Sequence, residues 1–267
     1  MKNQIICSFQ KDLMEYIRTK KNLLFSSTLF FLCAVVFGAT KIFPSLISAL
    51  ISSTSHIASN SDTITSSLIA FFPENLKDNM GILSSDIIIF YGIVVILSTY
   101  NLIKKEIDSG KWIFPSSVGY KPFILIISKG IVYGLGAAIP SVIFYNLYYV
   151  IGNAYLLPDY YTTSALINSL ILGFAIFSIV YITITLSTIC KQAIMSVVTI
   201  IPFIVIAPDV FSLFAFGKYL PTHILTYLYQ SMNNYNELLA PMVMTFSIAL
   251  FLSVLASKKA LDIEVSR

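Results

Sequence analysis

Charge is what this sequence has least of. Only 11% of its 267 residues are Asp, Glu, Lys or Arg, where a soluble domain carries about 25%. With 57% hydrophobic residues and a mean hydropathy of +0.82, an ordinary soluble fold is excluded and a polytopic membrane protein is expected. Cysteine is sparse too. Cys7, Cys33 and Cys190 stand far apart, with neither metal-ligand spacing nor a disulfide framework. His56 and His223 each stand alone, so no metal is expected. No window reads G-x-x-x-x-G-K-[ST]. Gly110-Lys111 and Gly217-Lys218 run into Trp and Tyr without an upstream glycine at the needed distance, so the chain has no P-loop for ATP phosphates. Nor does an acid or base fall inside an apolar window, as ion-coupled carriers require; Lys129 and Asp209 lie at helix ends. Asn101, Asn146 and Asn168 are polar but neutral and suit hydrogen bonds between helices. No catalytic residue and no cofactor is expected in this chain. It is not expected to be an enzyme, and energy for uphill movement must come from another polypeptide.

What is present is a series of long apolar windows. A spanning helix needs roughly 20 mostly apolar residues. Asn22–Thr40, Ile87–Ile103, Gly130–Pro158, Tyr160–Cys190, Gln192–Pro208 and Leu238–Ser257 qualify. The expectation is all-α: six transmembrane helices in one domain covering 1–267, preceded by an interfacial amphipathic helix over 1–21. Of the 17 Lys and Arg residues, 14 fall in the N-terminal segment, the loops after the second and fourth windows, and the tail. Lys41, Lys77 and Lys218 alone lie on the other side. That bias puts both termini in the cytoplasm of a bacterial plasma membrane. Because the lysines sort by membrane side, the net charge of +4 implies no nucleic-acid partner. The start spreads its charges and lacks an A-x-A-like site, so no cleaved signal peptide is expected.

Within the first segment Ile6, Phe9, Leu13, Tyr16 and Ile17 recur at helical spacing, with Lys11, Asp12, Glu15 and Arg18 on other faces. This describes either a helix in the membrane interface or a loose cytoplasmic tail. Residues 44–86 and 209–237 are expected outside. The first is rich in Ser and Thr, and its Leu68–Phe72 stretch is apolar enough to lie on the membrane. The second is too apolar for a solvated loop. Its Val210–Gly217 and Ile224–Tyr229 runs are too short to span, and Pro202, Pro208 and Pro221 break it. Half-helices dipping into the outer leaflet fit, as do two surface helices.

The densely charged interior stretch is Lys104–Lys129, KKEIDSGKWIFPSSVGYKPFILIISK. The second span ends near Ile103, and Lys104–Ser109 continues as a polar helix into the cytoplasm. Glu106 can bond backbone or a basic group on a partner. Gly110 permits a turn that an L-residue resists, and Pro115 reverses the chain. Trp112, Ile113 and Phe114 make an apolar knob, either an interface anchor for a soluble partner or part of a membrane aromatic belt.

These residues carry a resemblance. The layout resembles ATP-binding-cassette permeases of the type-2 exporter class. Their first cytoplasmic loop reads as a Glu, a Gly about four residues on, a Pro-Ser or Pro-Val turn, an apolar run and a Lys opening the third span. Glu106, Gly110, Pro115-Ser116 and Lys129 match. A subset of bacterial peptide-export and bacteriocin-immunity permeases carries a Trp after the Gly, as Trp112 does here, and Tyr219-Leu220-Pro221 resembles their outer segment. Gly110 to Pro115 is shorter than in the commonest members, by about one helical turn. The resemblance implies a cytoplasmic coupling loop at 104–122, with Glu106, Gly110, Trp112, Phe114 and Pro115 coupling to cytosolic ATPase subunits. ATP and Mg would sit on those subunits. It also implies a second permease, identical or homologous, surrounding membrane lipid, and a hydrophobic or amphipathic substrate such as an antimicrobial peptide or lipid. Tyr145, Asn146 and Tyr149 are candidates to line the pathway or, alternatively, to pack the bundle. A non-transporting sensor subunit of an immunity or signalling complex is the alternative role.

Overall fold

In a chain this apolar, backbone N–H and C=O groups must find partners within their own segment, and helix is the outcome. The computed structural model describes residues 2–54, 75–110, 121–156, 159–229 and 235–265. Their helices are α1 (Lys2–Arg18), α2 (Lys21–Thr54), α3 (Leu76–Asp86), α4 (Gly92–Thr99), α5 (Leu102–Asp108), α6 (Pro122–Tyr155), α7 (Thr162–Ile189), α8 (Ile194–Val205), α9 (Ala207–Ser212), α10 (Thr222–Tyr229) and α11 (Leu239–Val265). Among the described residues there is no strand. Among the described residues, five stretches are long and apolar enough to cross a membrane: Lys21–Ile42, Leu76–Asp108, Pro122–Tyr155, Thr162–Ile189 and Tyr235–Leu261.

The bundle is built around α6 and α7. Their spanning windows are 67% and 72% buried, against 22% for those of Lys21–Ile42 and Tyr235–Leu261. Close approach is possible because Gly130 and Gly134 lie one turn apart on α6. A Cβ at either would meet the ring of Tyr181 or Phe177 on α7 at 2.7 Å. Small residues at this spacing are how membrane helices gain packing without a hydrophobic drive between them. The two rings stack on each other at 5.9 Å.

Breaks in the helices are met by side chains from neighbours. Pro140 lies inside α6 and has no N–H, so the carbonyl four residues back, at Gly136, loses its partner. Tyr16 of α1 donates its hydroxyl to that carbonyl at 2.9 Å. Tyr91 donates to the adjacent Ala137 carbonyl at 2.8 Å. The second span is broken as well. A π-helical turn, Ile87–Tyr91, joins α3 to α4, and a turn at Tyr100 and Asn101 separates α4 from α5. Lys21 donates to the Ser98 carbonyl at 2.6 Å, a cation meeting the C-terminal end of α4.

Three expectations change. The second span starts at Leu76 rather than Ile87, so Asp86 lies inside it. Asn79 and Ser84 read as loop residues, yet both are buried with partners: Tyr148 donates to Asn79 Oδ1 at 2.9 Å, and Ser84 bonds back to the Met80 carbonyl at 2.8 Å. The outer segment expected from Pro44 is helical up to Thr54, and Leu68–Phe72 falls outside the described residues. The fifth window, Gln192–Pro208, holds the 12-residue α8, about 18 Å long against a hydrocarbon core of about 30 Å. Beyond it, α9 buries Pro208 and exposes Val210, and Leu213 just after it is 82% accessible. The half-helix α10 is instead buried in the bundle through Ile224, Leu225, Tyr227 and Leu228, against α3 and α7.

The exchange of partners at Pro140 is testable. Tyr16→Phe leaves the Gly136 carbonyl bonded to nothing and should cost about 1–3 kcal/mol of stability. In a Pro140→Ala background the restored N–H supplies that carbonyl, and Tyr16→Phe should cost under about 1 kcal/mol. Equal costs in both backgrounds, read by denaturation of the purified chain in detergent, would contradict the assignment.

Candidate functional site

α1 is amphipathic with its polar side turned inward. Ser8, Asp12 and Tyr16 are buried, whereas Ile6, Leu13, Met14 and Ile17 are exposed. Residues 8, 12, 15 and 16 share one helical face, and that face lies against α6. Asp12 and Glu15 sit on this inward face, and the reason is Lys129.

Lys129 stands in the third turn of α6 and is 1% exposed. Its Nζ lies 2.7 Å from Glu106 Oε1, 3.2 Å from Glu15 Oε2 and 3.9 Å from Asp12 Oδ1. Ser128 donates to Asp12 Oδ2 at 2.6 Å. Lys11, half in solvent, reaches Glu106 Oε1 at 3.4 Å. An ammonium has three protons to donate, and here carboxylates from two other elements surround it. Burial pushes the Asp12 carboxyl above its usual range, against the opposing pull of Lys129 and the Ser128 hydroxyl. Burial likewise pushes the Tyr16 hydroxyl up to about 12, so it remains the donor that the Gly136 carbonyl needs.

The arrangement ties α1, α5 and α6 together at one end of the bundle. Glu106 sits on α5 and Lys129 on α6, and the segment between these helices carries the charged loop. Glu106, expected to bond backbone or a basic group on a partner, is 7% exposed and bonds Lys129 of its own chain. Gly110 ends α5 with a φ of 71°, a left-handed conformation glycine adopts without steric cost, and its N–H bonds to the Ile107 carbonyl at 3.0 Å. Trp112, Phe114 and Pro115 lie outside the described residues. The start of α2 is held as well: Lys21 Nζ, besides its bond to Ser98, lies 4.8 Å over the Tyr133 ring.

The pathway candidates sit in packed surroundings. Tyr145 is 0% exposed. Tyr149 shares a 2.9 Å hydrogen bond with Thr162 and donates to the Tyr160 carbonyl at 3.3 Å, closing the α6–α7 turn. Asn146 bonds back to the Val142 carbonyl of its own helix.

Sequence reasoning missed Asp12, Glu15 and Ser128 as members of this cluster. A signal was present. Lys129 follows the apolar run PFILIIS within a single helix, and a cation placed there requires a counter-ion. Asp86 was also missed. It lies on the outer face of the second span, between the exposed Ile82 and Phe90, one turn to either side. No protein-family model matches this chain, and no curated protein and no solved structure matches it either.

Removing the central ammonium should be costly. Lys129→Met leaves buried carboxylates without their cation and should destabilise the chain by about 3–5 kcal/mol. Adding Asp12→Asn and Glu106→Gln to Lys129→Met should recover more than half of that loss, as melting curves in detergent would show. A triple variant no more stable than Lys129→Met would contradict the electrostatic account.

Proposed function

We propose that this chain is the permease subunit of an ATP-driven exporter, moving a hydrophobic or amphipathic substrate such as an antimicrobial peptide or lipid out of the cell. The observation that carries the proposal is the buried cluster on Lys129. It joins both roots of the charged loop, Glu106 on α5 and Lys129 on α6, to the amphipathic helix α1. A loop anchored in this way moves its two flanking helices and α1 together when a soluble partner pushes on it. The apolar outer face of α1 suits the cytoplasmic membrane interface. In this account α8 and the chain up to α10 form a broken fifth span, which makes six with both termini cytoplasmic.

A second permease, identical or homologous, supplies the other half of the pathway. Asp86 supports such a partner. A carboxylate on a lipid-facing surface is costly, at most roughly 2.5–3.5 kcal/mol, the figure for a helix centre; Asp86 lies a turn or more from the centre of its stretch, and among the described residues it has no ion-pair partner. Covering this face with a second subunit and water removes that cost. Two cytosolic ATPase subunits, carrying ATP and Mg, engage the loop through Trp112 and Phe114.

Three measurements test the proposal. Purified alone, the chain should hydrolyse no ATP above background; robust hydrolysis would contradict it. In a cysteine-free background, Ser55→Cys should react with an impermeant maleimide on intact cells and Ser117→Cys should not; the reverse pattern overturns the topology. Trp112→Ala should leave the melting of the isolated permease unchanged and weaken co-purification with the ATPase roughly thirtyfold, the equivalent of about 2 kcal/mol at an aromatic anchor. Early melting with normal recruitment would place Trp112 in a membrane belt instead.

A further inference from the structure

Where α1 turns into α2, a cleft of about 420 Å³ opens between that corner and the α4–α5 turn. Its walls carry three cations, Arg18, Lys21 and Lys105. The corner has an unusual backbone: Lys20 holds a φ of 53°, and this bend swings Arg18 and Lys21 to the same opening. Arg18 and Lys105 are exposed and form no ion pair among the described residues. Lys21 donates one proton to the Ser98 carbonyl and faces the Tyr133 ring, and an ammonium has three protons to donate. Glu15 and Glu106 also line the cleft; with Asp12 they are three carboxylates against the two ammoniums of Lys129 and Lys11, which leaves one negative charge against the three cations. The positive charge at the mouth is therefore unbalanced. The Asn101 amide lies beside it.

One wall is apolar. Leu97, half exposed, lines the cleft, and Met14 and Ile17 expose their side chains on α1 just before the corner. A free anion would use the cations and leave Leu97 without a partner. A lipid uses both, its phosphate on the cations and its acyl chain along the apolar residues. The Lys/Arg bias assigns this end of the bundle to the cytoplasmic leaflet, where anionic lipids reside and basic clusters recognise them.

We propose that this cleft binds the phosphodiester headgroup of an anionic phospholipid of the inner leaflet. Arg18 and Lys105 clasp the phosphate, Lys21 forms the floor, and Leu97 takes the start of an acyl chain. The lipid thereby bridges α1 to the α4–α5 turn, beside the ionic cluster but without using its residues as ligands. The inference rests on the chain sitting in a membrane with this end in the inner leaflet; it stands whether or not an ATPase docks nearby.

The test is native mass spectrometry of the full-length chain in detergent, titrated with phosphatidylglycerol or phosphatidylcholine of identical acyl chains. Wild type should prefer phosphatidylglycerol by at least about tenfold. Removing a cation from such a site costs about fivefold in affinity, so R18Q/K105Q should lose roughly twentyfold for phosphatidylglycerol and little for phosphatidylcholine. The control, K258Q/K259Q, removes two exposed lysines near the end of α11 and should behave as wild type. Millimolar inorganic phosphate should not displace the bound lipid. The proposal is overturned if wild type shows no headgroup preference, if R18Q/K105Q keeps it, or if the control loses as much, which would mean diffuse attraction. Displacement by inorganic phosphate would make the site one for free anions. Unchanged lipid binding with lost ATPase recruitment in R18Q/K105Q would make the cleft a protein-docking surface.

Discussion

The ammonium of Lys129 is the interaction on which the rest of this end of the molecule depends. It lies inside a helix whose neighbours are apolar, so it can stay charged only if carboxylates come to it. Glu106, Glu15 and Asp12 do so, and in doing so they fix where α1 lies, how it is rotated, and how α5 descends from the second span. The rotation has a further effect. With Asp12 and Tyr16 directed inward, the remaining residues of α1 present Ile6, Leu13, Met14 and Ile17 outward. A helix of modest apolarity thus acquires a surface suited to lipid because its polar side is claimed by a buried cation.

The same economy governs the backbone. Without water in a bilayer, each carbonyl freed by a proline or a helix end must be satisfied by protein. Tyr16 serves the Gly136 carbonyl below Pro140, Lys21 serves Ser98 at the end of α4, and Lys41 serves Tyr155 at the end of α6. Each of these donors comes from α1 or α2. The N-terminal fifth of the chain therefore satisfies breaks in the central helices, and packing is only part of what it contributes.

Much of the architecture was legible in the sequence because membrane spans announce themselves by length and apolarity. The long windows of α6 and α7 needed no more than that. The second span was harder to delimit. Asn79 and Ser84 look like loop residues until Tyr148 and a neighbouring turn are seen to satisfy them. For α1, periodicity identified the helix but grouped Tyr16 with Ile6, Leu13 and Ile17, whereas Tyr16 is buried beside Asp12 and the other three face outward. In soluble proteins the apolar side goes in, and here a buried lysine reverses that. Glu106 and Gly110 were identifiable as special from their place in the loop. That Glu106 turns inward could be read only by asking what neutralises Lys129. Asp86 was not legible because the charge-free apolar run begins at Ile87, one residue after it.

The most direct test of the central claim is hydrogen exchange across the whole chain in lipid nanodiscs, comparing wild type with Lys129→Met. If the cluster joins α1, α5 and the start of α6 into one unit, amides of Lys2–Arg18 and Leu102–Asp108 should lose protection together and by similar factors, while α7 stays protected. Loss of protection in α5 alone, with α1 exchanging as in wild type, would contradict the account.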